Sequence, residues 1–215
     1  LGAFFGSFAA AQVWRLRAKQ LIEDKAAGEP VNKGELQRLK ELRRPVSEDR
    51  SECLLCHHQL AWYDLLPIIS WLALKGRCRY CKAAISRSDF LVEVGLGIVF
   101  ALSWWLWPTP LTNVAEWTRF VLWLAGCISM AILFVYDARW YLLPFGINMT
   151  LIALGVLFAL ITLAQSSWQS DMIWSLLVGC VLLSGLYYLF SLAGWVGLGD
   201  SILGHSSSFY SGLSF

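Results

Sequence analysis

Charge is what this sequence has least of. Asp, Glu, Lys and Arg together make up 15% of its 215 residues, against roughly 25% in ordinary soluble domains. That shortage comes with 57% hydrophobic residues and a mean hydropathy of +0.56. It excludes a disordered chain, a basic nucleic-acid-binding domain and an ordinary soluble enzyme. An initiator Met is also lacking, so the sequence reads as one that begins inside a longer gene product. Beyond residue 93 charge nearly disappears: residues 94–215 hold six charged residues in all. The charge that is there is concentrated. Residues 15–89 hold 15 of the 17 Lys and Arg and 10 of the 15 Asp and Glu, a balance of +5 there and −3 elsewhere. Two chemistries share one chain, a polar segment enclosed by membrane.

Residues 1–14 are apolar but only 14 long, short of the roughly 20 needed to span a bilayer. With no basic region before them they read as a partial first transmembrane helix rather than a signal peptide. Four further apolar stretches follow, at 90–107 with Glu93 near its start, 120–136, 142–164 and 172–196. Each has the length of a spanning helix. Trp104, Trp105, Trp107, Trp117, Trp140 and Tyr141 gather at their ends, as interfacial aromatics do. The expected fold is an all-α polytopic membrane protein with about five transmembrane helices and a loop domain over residues 15–89. Its 15 basic residues place that loop in the cytoplasm. Counting spans from there brings both Asp137 and Asp200 out on the same, cytoplasmic, side. Residues 201–215 form an atypical Ser-rich tail.

Within the polar segment, residues 15–50 predict one or two amphipathic helices broken near Gly28–Pro30, with no catalytic constellation. Cys53-Leu-Leu-Cys56 and Cys78-Arg-Tyr-Cys81 follow, separated by 21 residues. Two such knuckles suit tetrahedral Zn²⁺, and a reducing cytoplasm disfavours disulfides. The site is expected to be structural, with His57 and His58 at the surface and redox-active dithiols as the competing reading. Cys127 and Cys180 lie within spans and read as small core residues.

Asp137 and Asp200 each end a charge-free span, and carboxylates at membrane depth tend to be functional. Asp137 could instead pair with Arg139, and Gly197 and Gly199 could form an ordinary helix-ending turn. Taken together, two close carboxylates would share a proton and support general acid–base peptide hydrolysis. Gly197 and Gly199 would let an extended substrate backbone approach.

The residues also resemble the type IV prepilin peptidases (leader peptidase and N-methyltransferase) over nearly all of residues 2–200. Gly6-Ser7-Phe8 is similar to that family's opening. Glu52 to Cys81, with Trp62-Tyr63-Asp64, Pro67-Ile-Ile-Ser-Trp71 and Gly76-Arg-Cys-Arg-Tyr-Cys81, resembles its zinc-binding cytoplasmic loop. Tyr136-Asp-Ala-Arg-Trp-Tyr-Leu-Leu-Pro144 resembles its first catalytic-aspartate motif, and Gly197-Leu-Gly-Asp200 its second. The resemblance implies an aspartyl endopeptidase of the bacterial inner membrane that removes the leader from type IV prepilins and type II secretion pseudopilins. It also implies S-adenosylmethionine-dependent methylation of the new N-terminus. By motif, Asp137 and Asp200 are its catalytic pair and Cys53, Cys56, Cys78 and Cys81 its zinc ligands. Phe145 after Pro144, Ile202 in place of a Lys and the short tail depart from the pattern and suggest a truncated product. The alternatives are a catalytically inactive zinc-binding membrane protein of the pilus or secretion machinery, another G-x-G-D intramembrane protease, and a membrane thiol–disulfide oxidoreductase.

Overall fold

The structure is a computed structural model that describes residues 1–39, 42, 51–165, 174 and 178. Among the described residues it is helical, without a named strand. The elements are α1 (Gly2–Ala26), α2 (Lys33–Arg38), a 3₁₀ turn (Trp62–Leu65), α3 (Ile69–Ala73), α4 (Arg87–Trp105), α5 (Val114–Trp140) and α6 (Phe145–Gln165). Three of them, α4, α5 and α6, are long and apolar enough to cross a membrane. Apart from Trp174 and Val178, the expected span at 172–196 lies outside the described residues, as does the tail at 201–215.

The boundary expected after Trp14 is not a helix end. α1 runs on without a break to Ala26, because Arg15, Arg17, Lys19 and their neighbours are good helix formers. No breaker occurs before Gly28, which stands at φ +83. There the chain turns, and Asn32 caps α2 by accepting from the N–H groups of Gly34 and Glu35 at 3.0 and 3.2 Å. Arg17 holds α2 against α1 through a two-pronged pair with Glu35 at 3.1 and 3.0 Å. Ala18, Leu21 and Leu39 bury a small apolar cluster beneath it, with Leu36 and Leu42 packed against them.

α1 lies antiparallel to α4 along a stripe of small residues, Gly2, Gly6, Ala9, Ala10 and Val13. A Cβ at Gly2 would stand 2.5 Å from the Leu96 carbonyl oxygen, and one at Gly6 2.5 Å from the Glu93 Cα. The two backbones therefore touch, as small residues allow between helices in a membrane. Ala9 and Val13 of α1, Leu96 of α4 and Ile132, Val135 and Tyr136 of α5 bury one another as the main core.

α4 turns back into α5 through 106–113. Asn113 caps α5 by accepting from the Glu116 N–H at 2.8 Å. Glu116 in turn gathers Arg119, Gln165 and Thr109, which ties the start of α5 to the end of α6. α5 stops at Trp140, where Tyr141 takes a left-handed φ of 56, and Leu143 is barred from the helical region by Pro144. α6 consequently starts at Phe145, three residues later than the pattern of apolar residues suggested.

Candidate metal centre and active site

The tetracysteine loop is one local structure used twice. In the first copy Cys53 N–H donates to His58 C=O at 3.0 Å, His57 N–H to Cys53 C=O at 2.9 Å, and Leu60 N–H to Ser51 C=O at 2.9 Å. In the second, Cys78 N–H donates to Ala83 C=O at 2.8 Å, Lys82 N–H to Cys78 C=O at 3.1 Å, and Ile85 N–H to Gly76 C=O at 2.8 Å. The residue after each second cysteine, His57 or Lys82, stands at φ 55 or 60 to close the turn. The two knuckles face each other so that all four Sγ atoms lie within 4.8 Å, with Cys53 and Cys81 3.8 Å apart. Four thiolates about 2.3 Å from a tetrahedral Zn²⁺ would be about 3.8 Å apart, so the donor set fits that ion. Burial pushes the Cys78 thiol up, but hydrogen bonds from the backbone of Cys81 and Tyr80 and from the neighbouring thiols bring it down to about 7. That favours the thiolate a metal requires. His57 pairs with Glu52 at 3.2 Å and His58 lies on the Tyr80 ring, both at the surface.

The loop is braced at three points, once within itself and twice against the helices. Arg79 donates to the buried Asp64 at 2.8 Å. Trp71 stacks on Phe90 of α4 with ring centres 4.4 Å apart, and covers Gly76, where a Cβ would meet its ring at 2.8 Å. The third point is a strained turn. Ile68 stands at φ 64, ψ −52, and Ile69 N–H donates back to Pro67 C=O at 2.6 Å, a γ-turn of the rarer hand. Its own N–H donates to the Glu93 carboxylate at 2.7 Å, with Ser7 of α1 as a further partner of that carboxylate. Gly6-Ser7, Pro67-to-Trp71 and Glu93 thus meet in one place. Between the loop and α1 and α4 lies a cavity of about 500 Å³. Among its lining, Asp64 Oδ2, Trp71 Nε1 and Arg38 Nε are buried with no hydrogen-bond partner among the described residues.

Asp137 occupies the last turn of α5, its side chain exposed, and its carbonyl accepts from Tyr141 N–H at 2.8 Å. Arg139 does not pair with it. Instead, Arg139 crosses to the start of α4, donating to Ser86 at 3.1 Å and to Ser88 and Asp89. The guanidinium also lies 4.6 Å from the Trp14 ring centre. The Asp137 end of α5 and the cysteine loop are therefore at one end of the bundle. Asp200, Gly197 and Gly199 lie outside the described residues. Arg139, Asp89 and Glu93 carry this end of the bundle and were missed as site residues. A signal for Glu93 was present, since it is one of the few charges in an apolar span.

Comparison with known proteins gives the following. Residues 1–107 match the bacterial peptidase A24 N-terminal domain. A prepilin leader peptidase/N-methyltransferase from Dichelobacter nodosus is 30% identical over 93% of this chain and 71% of its own length. A protein of the same name from Stutzerimonas stutzeri is 32% identical over 69% of this chain and 49% of its own. A type 4 prepilin-like proteins leader peptide-processing enzyme from Escherichia coli O78:H11 is 31% identical over 72% and 55%. This chain thus spans about half the length of several curated relatives that it matches. No solved structure matches it.

Proposed function

The chain belongs to the prepilin leader peptidase/N-methyltransferase family, and from that premise we propose that it is a membrane aspartyl endopeptidase. Its substrates are type IV prepilins and type II secretion pseudopilins, whose leaders it removes at the cytoplasmic face of the bacterial inner membrane. The observation that carries this reading is Asp137, an exposed carboxylate in the last turn of an apolar helix, at the same end of the bundle as the cysteine loop.

In this reading Asp137 and Asp200 share one proton. The ionised carboxylate removes a proton from water, and the water oxygen attacks the carbonyl carbon of the scissile bond. The other carboxyl donates its proton to the carbonyl oxygen. Collapse of the tetrahedral intermediate breaks the C–N bond, and a proton passes to the departing amine. One water is consumed and no covalent enzyme intermediate forms. Gly197 and Gly199 admit the extended substrate chain beside Asp200. Cys53, Cys56, Cys78 and Cys81 hold zinc as a closed structural site, whose binding free energy orders the loop.

Methylation of the new N-terminus is a second activity of this reading. S-adenosylmethionine supplies a methyl group carried on a sulfonium. The 500 Å³ cavity would suit such a zwitterion: Asp64 would hold its ammonium, and Arg38 and the Trp71 N–H its carboxylate.

The test uses the zinc-loaded chain in liposomes and a peptide with a basic leader, a glycine, a phenylalanine and an apolar helix. Mass spectrometry should find a single cut after the glycine. An inserted, zinc-replete chain that leaves the peptide whole would overturn the assignment.

A further inference from the structure

Among the described residues, one side of the last turn of α5 is anchored. Tyr136, 2% exposed, hydrogen-bonds Gln20 of α1, and Trp140 packs edge-on against Trp14 with ring centres 5.7 Å apart. Arg139 completes that side. Its Nη2 donates to Ser86, Ser88 and Asp89, and its guanidinium stacks on Trp14. Asp89 is itself held by Trp14 Nε1 at 3.5 Å. Ser86 is the residue at which the second cysteine knuckle becomes α4: Ile85 N–H still bonds within the knuckle, and α4 begins at Arg87. The arginine therefore grips three elements at once, α1, α4 and the end of the cysteine loop.

Residues two apart on an α-helix point about 200° away from each other. Fixing Arg139 against α4 therefore fixes the outward direction of Asp137 on the opposite side of the same turn. We propose that Arg139 is a positioning residue for Asp137, setting the rotation of the final turn of α5 through its bonds to the loop–α4 junction. The inference rests on the reading of Asp137 as catalytic. It also explains how the order of a cysteine loop distant in sequence reaches the aspartate. The loop fixes Ser86, Ser86 and Asp89 fix Arg139, and Arg139 fixes the turn. Arginine suits the task because a planar guanidinium can stack on an indole and bond sideways at once, which an ammonium cannot.

The test pairs two measurements on the full chain in liposomes, leader cleavage of the peptide described above and amide hydrogen exchange of residues 137–141. Arg139→Ala should lower kcat by about 10- to 100-fold with KM within about twofold, as misplacement of a reacting group does. Arg139→Lys should recover only part of that rate. In Arg139→Ala the amides of 137–141 should exchange at least about tenfold faster, with zinc content unchanged. Unaltered exchange in Arg139→Ala would overturn the proposal, as would wild-type cleavage by Arg139→Ala while Asp137→Asn is inactive. That second result leaves the catalytic reading of Asp137 standing. Wild-type cleavage by Asp137→Asn would overturn both.

Discussion

Replacing Gly6 by alanine should weaken the protein out of proportion to the one methyl added. A Cβ at that position would stand 2.5 Å from the Glu93 Cα, 2.9 Å from the Val92 carbonyl oxygen and 3.0 Å from the Glu93 N. All three are backbone atoms, so no side chain can swing aside. Carbon atoms rest about 3.5–4.0 Å apart, so α1 and α4 must separate locally by about 1 Å. Overpacking of this kind costs about 1–3 kcal/mol. The separation also pulls Ser7 from Glu93 and loosens the carboxylate that holds the Ile68 turn. Gly95, on the same helix as Glu93, meets no described residue within 4 Å where a Cβ would be. Gly95→Ala should therefore be neutral or stabilise by roughly 0.5–1 kcal/mol through helix propensity. Reversible unfolding in bicelles, followed by tryptophan fluorescence, compares the two variants directly. Equal stabilities for Gly6→Ala and Gly95→Ala would refute the close packing of α1 on α4.

Three other outcomes follow from the same geometry. Ile68→Gly should be at least as stable as Ile68→Ala, because glycine adopts φ 64 without strain; thermal unfolding that ranks them the other way contradicts the strained turn. Cys53→Ser with Cys81→Ser should lose zinc and with it the order of residues 51–86, because structural zinc contributes folding free energy. Metal analysis and hydrogen exchange of the loop read both effects, and retained zinc would be the contrary result. The Cys78 thiol lies near 7, below its ordinary value, so the loop gains stability from its thiolate above the unfolded value. That contribution disappears as pH falls through 7; apo-loop protection factors, which divide out the intrinsic pH dependence of amide exchange, should therefore fall from pH 8 to pH 6 more steeply with Cys78 present than in Cys78→Ser, and identical profiles would count against it.

Much of this architecture was legible in the sequence because it rests on local pattern. Apolar runs marked α4, α5 and α6 to within a few residues at most ends, and the cysteine spacing marked a cluster whose sulfurs do converge. The departures have physical causes. α1 continues through Arg15, Arg17 and Lys19 because charge ends a membrane span without ending a helix. α6 starts late because Pro144 constrains Leu143. The pairing of Asp137 with Arg139 could have been set aside from helix geometry, since residues two apart do not face each other. Its true partners, Ser86, Ser88 and Asp89, lie about 50 residues away in sequence, and only the packing of α4 against α5 brings them together. The Glu93–Ile68 contact is hidden for the same reason.

The central claim is that Asp137 and Asp200 together hydrolyse the leader peptide bond. Its most direct measurement is leader cleavage by the reconstituted chain carrying Asp137→Asn or Asp200→Asn, each inserted in liposomes with zinc retained. The account predicts that either substitution alone abolishes cleavage. Cleavage at the wild-type rate by either variant would contradict it.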